Sequence, residues 1–218
     1  VSVLFMLDKE AEVIADCLRV IELDESNHLA WFLMAKAKRT TGDQLGAIAD
    51  LTKAIALKDD FTDAYLLRAE VLLAMKQGQE ALPDIEKAIS LAPEEETTYL
   101  VRGKIHESLG DLDAAADDYQ QALDLNPFNE DACILKGSLL ITKNLLDEAI
   151  VFFDEAIEIK PDFAKAYAER GRAKNLKGDK EGAFEDLKKS IELNPEGEEA
   201  KKFEGQHANF ENKTYMPF

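Results

Sequence analysis

Small apolar residues recur along the chain at positions that repeat every 34 residues. Counting from His28 gives five rows without an insertion, namely 28–61, 62–95, 96–129, 130–163 and 164–197. One small slot in the first half of each row holds Ala35, Ala69, Gly103, Gly137 and Gly171. Two small slots in the second half hold Ala47, Ala81, Ala115, Ala149 and Ala183, and Ala54, Ala88, Ala122, Ala156 and Ser190. Since helices that cross closely need small residues where their backbones meet, each row predicts one pair of packed helices.

Turn and stop residues separate the predicted helices. A Gly-Asp pair divides rows one, three and five at Gly42, Gly110 and Gly178. Rows two and four have Lys76-Gln77-Gly78 and Asn144-Leu145 at the same place. Each row closes with an aspartate or a proline, namely Asp59, Pro93, Pro127, Pro161 and Pro195. Proline cannot continue a helix, so it ends the second helix before the next row starts. Because a single helix pair cannot bury its apolar face, the rows are expected to stack as an all-α solenoid.

Two further slots complete the pattern. An aromatic slot near the start of each row holds Trp31, Tyr65, Tyr99, Cys133 and Tyr167, and a large slot in the second half holds Leu51, Ile85, Tyr119, Phe153 and Leu187. Together with the small slots and the late proline, this pattern resembles the tetratricopeptide repeat (TPR) family over residues 28–197. The resemblance implies an all-α, right-handed superhelical solenoid of antiparallel helix pairs. It also implies that the first helices line a concave face and the second helices a convex face.

One departure from the family pattern recurs just before the small slot of the first helix. The usual leucine is replaced by Arg68, Arg102, Lys136 and Arg170, as in the Tyr-x-x-Arg-Gly subtype. The second helices carry acids as candidate partners, namely Asp50, Asp84, Asp118 and Asp186. Structural salt bridges are the favoured interpretation over functional arginines. The sequence leaves open whether each pair lies within a row or between neighbouring rows.

The same phase extends towards the N-terminus. Residues 1–27 are interpreted as a truncated repeat, with 1–7 as the end of a first helix and 8–24 as the second helix. The chain begins with valine, so we expect sequence upstream of it, and a signal peptide and the compartment stay open. An apolar face near Val3, Leu4 and Met6 would then favour self-association.

The phase also extends beyond the last row. Residues 198–204 are predicted to form a polar capping helix, and 205–218 an irregular tail. An alternative is that Phe210, Tyr215 and Phe218 in the tail dock on the array.

Charge is distributed unevenly between the two halves of each row. The chain has a net charge of -18, but the first fourteen residues of the five rows sum to +6 and the remaining twenty to -18. The acidic balance opposes nucleic-acid binding, and no apolar run is long enough to span a membrane, so the protein is expected to be soluble without membrane insertion. The first helices therefore form a mildly basic layer against acidic second helices.

The family resemblance indicates which first-helix residues face the groove. The slot after the aromatic is apolar in rows one to four, with Phe32, Leu66, Leu100 and Ile134. One turn later stand Lys36, Glu70, Lys104, Ser138 and Arg172, and one further turn later Arg39, Leu73, Glu107 and Ile141. With Lys165, these residues predict an apolar stripe with basic residues at both ends. Such a surface suits a peptide with apolar anchors and some negative charge. The alternative is that some of them, especially Leu73 and Ile141, pack against a neighbouring repeat.

One known family mode is excluded by these residues. A clamp for the C-terminal carboxylate of chaperone tails needs lysine where Phe32, Leu66 or Leu100 stands, and asparagine where Lys36, Glu70 or Lys104 stands. The ligand is therefore expected to bind in another mode.

No residue set supports catalysis. His28, His106 and His207 have no partner at metal-ligand spacing, and Cys17 and Cys133 fall in core slots. We therefore expect neither a metal nor a cofactor, and predict a non-catalytic protein–protein interaction scaffold or adaptor. The alternatives are a self-assembling structural module, in which the chain forms a homo-oligomer, and the recruiting arm of a larger enzyme.

Overall fold

The computed structural model describes residues 2–197, with side chains from Lys9 onward. Within this range the chain forms α-helices and no strand. The helices are α1 (Ser2–Leu23), α2 (His28–Thr41), α3 (Gln44–Leu57), α4 (Thr62–Ala74), α5 (Gly78–Leu91), α6 (Glu96–Leu109), α7 (Leu112–Leu125), α8 (Glu130–Thr142), α9 (Leu146–Ile159), α10 (Ala164–Lys177) and α11 (Lys180–Leu193). The predicted all-α fold is thus confirmed. The predicted capping helix, the tail with its aromatic residues, and the side chains of Val3, Leu4 and Met6 lie outside the described residues.

The helices belong to two compact units. Unit 1 is Val1–Leu125 and contains α1 to α7, and unit 2 is Asn126–Phe218 and contains α8 to α11. Helices α2 to α11 form five consecutive pairs, which are numbered here as repeats one to five. In each pair the second helix packs against the first helix of the same repeat. Repeats one to three therefore lie in unit 1, and repeats four and five in unit 2.

The turns inside the repeats follow from residues that accept a left-handed backbone. Gly42, Gly110 and Gly178 end their helices with φ of +89°, +83° and +90°. The aspartate after each glycine then caps the next helix, as where Asp43 Oδ1 accepts from Gly46 N at 2.9 Å. In repeats two and four, Lys76 and Asn144 take the left-handed conformation instead. Asparagine adopts it readily, whereas lysine does so at some cost in strain.

The small slots allow the close contact between paired helices. Ala47, Ala81 and Ala115 have no exposed surface at all. Gly103 faces the ring of Tyr119, and Gly137 faces the ring of Phe153, so closely that a β-carbon at either glycine would overlap the ring. Repeat one has Ala35 beside the smaller Leu51. The size of the large residue therefore sets whether the facing slot is alanine or glycine.

The N-terminal region differs from the expectation for residues 1–27. One continuous helix, α1, covers Ser2–Leu23, and no turn divides it near residue 7. The expected division into two helices was therefore wrong. The physical reason is that Asp8 and Lys9 stand 34 residues before Gly42 and Asp43, so no glycine is present to take the left-handed turn.

Candidate peptide-binding surface

The first helices of unit 1 carry nine of the predicted site residues. Phe32, Lys36 and Arg39 lie on α2, Leu66, Glu70 and Leu73 on α4, and Leu100, Lys104 and Glu107 on α6. Helix α4 lies between the other two, because an ion pair joins it to α2 and it packs against α6. In unit 2, Ile134, Ser138 and Ile141 lie on α8, and Lys165 and Arg172 on α10.

The predicted apolar stripe is only partly available to a ligand. Leu66 and Leu73 are half-buried, and each packs on the core cluster that contains Ile85 and Ile105. Phe32 is also half-buried, with its ring centroid 4.9 Å from that of Phe61.

Three members of the stripe are buried, which corrects the expectation that they face a groove. These are Leu100, Ile134 and Ile141. First helices of neighbouring repeats contact each other, α4 with α6 in unit 1 and α8 with α10 in unit 2. This contact removes free surface that the helical period alone would assign to a ligand. The alternative of packing against a neighbouring repeat therefore applies to Ile141, and it also applies to two residues for which it was less expected.

Two of the predicted polar residues in unit 1 bind each other. Arg39 Nη1 lies 2.6 Å from Glu70 Oε2, which joins repeats one and two. Glu107 accepts a hydrogen bond of 2.5 Å from Tyr119 Oη. Burial, together with this bond and the nearby carboxylates, raises the pKa of Tyr119. Arg39, Glu70 and Glu107 are therefore engaged within the fold, which lowers their value as ligand groups.

Lys36 and Lys104 remain available. Both side chains are exposed, and neither forms an ion pair with a described residue. Lys36 Nζ lies 5.7 Å from the centroid of the Phe32 ring, which is a cation–π distance. One free ammonium group thus stands on each of the outer helices α2 and α6, and half-buried leucines stand on α4 between them.

Unit 2 presents a basic helix of its own. Lys165 and Arg172 are exposed on α10, and Arg172 Nη1 lies 3.1 Å from Glu169 Oε2 one turn earlier. Such an exposed pair contributes little stability, so a ligand carboxylate can compete for the arginine. Ser138 on α8 is half-buried.

The recurrent arginines serve the fold. Arg68, Arg102 and Arg170 each pair with the aspartate sixteen residues later in the same repeat, at N–O distances of 2.6, 2.6 and 2.5 Å. Arg68 also donates to Thr52, and Arg170 to Asp154, on the second helix of the preceding repeat. The question that the sequence left open is thereby answered. The strong pairing lies within a repeat, and two of the arginines also connect neighbouring repeats.

Repeats one and four replace this arginine pair. Repeat one has Met34 in the arginine slot, and Asp50 is paired with Lys38 at 2.7 Å. In repeat four Lys136 Nζ lies 5.1 Å from the Phe152 ring centroid, because phenylalanine stands where the other repeats have aspartate.

His106 has a carboxylate partner that sequence reasoning missed. Its Nδ1 lies 2.9 Å from Asp118 Oδ2, an aspartate that also binds Arg102. The two residues stand on different helices, so local spacing gave no signal. Both cysteines are buried, and burial raises the pKa of the Cys133 thiol to about 11. Within the described residues, no group of three His, Cys, Asp or Glu side chains could hold a metal ion. His207 lies outside them.

Sequence reasoning also missed exposed apolar residues next to α1. Leu29 and Leu33 are exposed on α2 and face a groove shared with α1. The signal was the apolar residue at position 29, because the same slot holds Asp63, Thr97, Asp131 and Lys165 in the other repeats.

Family models described as tetratricopeptide repeat match residues 62–95, 100–163 and 164–196. These ranges cover more than half of the chain, and the solved structures that resemble it include TPR proteins. The chain therefore belongs to the tetratricopeptide repeat family. None of the curated protein sequences matches it closely enough to count as a relative.

Several solved structures resemble the chain. The MamA structure has 27% sequence identity and a TM-score of 0.65, over 73% of this chain and 94% of that one. YrrB, described as a TPR protein with an unusual peptide-binding site, has 24% identity and a TM-score of 0.63, over 87% of this chain and 97% of that one. PilW, a type IV pilus biogenesis factor, has 16% identity and a TM-score of 0.82, over 90% and 91%. At these identities the YrrB and PilW matches support the fold alone.

Family membership defines a broad role. Tetratricopeptide repeats support a protein–protein interaction scaffold, and the family is typically non-catalytic. A helix apolar enough and long enough to cross a membrane is not found among the described residues.

Proposed function

We propose that the first-helix surface of unit 1 binds a peptide segment that combines apolar anchor residues with aspartate or glutamate. This surface consists of Phe32, Lys36, Leu66, Leu73 and Lys104. The observation that carries the proposal is the pair of exposed lysines without ion pairs, one on α2 and one on α6, in a chain of net charge -18. Unpaired ammonium groups are available to a ligand carboxylate without breaking an existing bond.

The charge distribution supports the same ligand class. Acidic residues concentrate on the second helices and loops, so an acidic peptide is repelled there and attracted to the first helices. The half-buried Leu66 and Leu73 are fixed on the core, and fixed apolar side chains lose little entropy when a ligand covers them. Lysines give the direction of approach, and the leucines and Phe32 give the contact area.

Binding selection followed by charge reversal tests the proposal. Peptides selected from a random phage library on the immobilised chain should be enriched in aspartate or glutamate together with leucine or phenylalanine. The selected peptides, measured by fluorescence anisotropy, should bind Lys36→Glu/Lys104→Glu at least about tenfold more weakly, since each lost charge contact at a partly desolvated site is worth roughly 1 kcal/mol.

Lys53→Glu/Lys87→Glu is the matched control. Both lysines are exposed on second helices of unit 1, and their reversal changes the net charge by the same amount. Affinity should stay within about twofold of the unchanged chain, because charge effects at a distance are screened. Equal losses in both variants, or selected peptides without acidic residues, would overturn the proposal.

A further inference from the structure

The groove between α1 and α2 is an exposed apolar feature that the proposed function does not use. This N-terminal groove has a volume of about 390 Å³ and is lined by Val13, Cys17 and Val20 of α1 and by Leu29, Ala30 and Leu33 of α2. Asp16 also lines it. Within unit 1 its position can be compared with the equivalent positions in repeats one to three, because α1 keeps their register.

Helix α1 has the slots of a second helix but lacks the helix that covers them elsewhere. Ala47 and Ala54 on α3 are fully buried, because α2 of the same repeat packs on them. The residues 34 positions earlier are Val13 and Val20, which are 39% and 40% exposed. Among the described helices α1 packs against α2, the first helix of the following repeat. One side of α1 therefore remains uncovered.

Helix α2 has a matching uncovered side. Leu33 is 48% exposed, whereas Leu67, which occupies the same slot in repeat two, is 5% exposed. Leu67 is buried because it packs in a cluster with Ala35 and Ala47 of the preceding repeat. Leu29 is also exposed, and its slot is polar in repeats two and three, with Asp63 and Thr97. Apolar residues were thus placed at positions that are either buried or polar in the other repeats of this unit.

The shape and the charge of the groove together define what fits it. The uncovered sides of α1 and α2 meet where a first helix lies in repeats one to three, so the space suits a helix. Six acids and two bases stand between Lys9 and Glu25, and Arg19 is tied to Asp16 at 3.1 Å. An apolar groove with an acidic border is complementary to an amphipathic helix with basic flanks.

We infer that the N-terminal groove docks an amphipathic helix of another polypeptide, apolar on the buried side and bearing lysine or arginine along its flanks. Its ligand is opposite in charge to the peptide proposed for the first-helix surface, so the inference does not depend on that proposal. The two sites give one chain two partners of different chemistry.

Two phage libraries of one helical scaffold provide the test, each with varied apolar residues on one face. One library carries lysine and arginine on the flanks, and the other carries aspartate and glutamate. Selection on the immobilised chain of 218 residues should enrich the basic library. Selected peptides should bind Leu29→Lys/Leu33→Lys at least about tenfold more weakly in fluorescence anisotropy, and added salt should weaken binding to the unchanged chain.

Leu45→Lys/Leu57→Lys is the matched control, because both leucines are exposed on α3 and the change in charge is the same. It should change affinity by less than about threefold, and circular dichroism should show that both variants keep their helices. The Lys36→Glu/Lys104→Glu variant should bind the basic peptides normally, so failure of one site is distinguishable from failure of the other.

Three outcomes would overturn the inference. The first is preferential enrichment of the acidic library, and the second is an equal loss in the control variant. The third is concentration-dependent association of the chain in light scattering that Leu29→Lys/Leu33→Lys abolishes, since a second copy would then be the occupant of the groove.

Discussion

Repeats one and three of unit 1 use the same slots with different side chains. Repeat three packs Gly103 on the ring of Tyr119, whereas repeat one packs Ala35 beside Leu51. Repeat three binds its buried aspartate, Asp118, with Arg102 and His106, whereas repeat one gives Asp50 a single lysine. The backbone is shared, so the size and the charge of a slot can vary only together with the residue that faces it.

The largest expected effect comes from exchanging the packing of repeat three for that of repeat one. Gly103→Ala should lower the free energy of unfolding by about 2–3 kcal/mol, because its β-carbon overlaps the Tyr119 ring. Adding Tyr119→Leu should recover at least about 1 kcal/mol relative to the sum of the two single changes, since alanine and leucine then face each other as in repeat one. Urea unfolding followed by circular dichroism measures both values.

Ala35→Gly serves as the control for this exchange. It should cost about 1 kcal/mol through helix propensity and a small void, without a clash. Additive effects in the double variant would show that the two slots are not coupled through their size.

The second effect concerns the buried aspartates. Asp118→Asn should cost about 2–3 kcal/mol, because it leaves Arg102 and His106 without their shared carboxylate in a buried setting. Asp50→Asn should cost less than about 1 kcal/mol, because burial already raises the pKa of Asp50 despite Lys38 and so disfavours its charge. Equal costs in urea unfolding would contradict this difference between the repeats.

The pH dependence of stability sharpens the comparison with repeat five. Burial opposes ionisation of Asp186, but hydrogen bonds from Arg170 and Lys174 hold the pKa of its carboxyl below the ordinary 3.8. Its contribution is therefore present above pH 3.8 and is lost as pH falls through its folded pKa. Asp50 has the opposite sign, because its folded pKa lies above 3.8 and protonation relieves its burial as pH falls.

Urea midpoints between about pH 7 and pH 3 measure these signs. Stability should fall less steeply on acidification in Asp186→Asn than in the unchanged chain, and more steeply in Asp50→Asn. The reverse order of slopes would show that the directions of the two pKa shifts are wrong.

The smallest effect on stability is expected when repeat one receives the arginine of repeat three. Met34→Arg places a guanidinium sixteen residues before Asp50, at the spacing of the other arginine pairs. Stability should change by less than about 1 kcal/mol, since lost apolar burial offsets the new ion pair. The pKa of Asp50 should nevertheless fall, which a carboxyl NMR titration detects. An unchanged pKa would mean that the slot cannot direct an arginine to this carboxylate.

Much of the fold was predictable from local patterns. Gly42 and Asp43 predicted a turn because one accepts a left-handed backbone and the other caps the next helix. The Arg102–Asp118 pairing was predictable in kind, since both residues recur at fixed positions in several rows. Helix α1 was predicted less well, because its register was continued without a residue that could form the expected turn.

The candidate site was predictable only in part. Lys36 and Lys104 are exposed, as their position on the first helices suggested. The sequence assigned Leu100, Ile134 and Ile141 to the same surface, but all three are buried. Helical periodicity gives the direction of a side chain relative to its own helix, and it does not give the distance to the next first helix.

The sequence by itself determined the all-α repeat fold, because its small, large and turn slots act within one helix pair and recur every 34 residues. The tertiary structure decided which side chains are available to partners. Arg39 and Glu70 bind each other across two repeats, and Leu29 and Leu33 stay exposed beside α1. The physical reason is that exposure and ion pairing between repeats depend on how neighbouring helices pack, and that packing joins residues far apart in the chain.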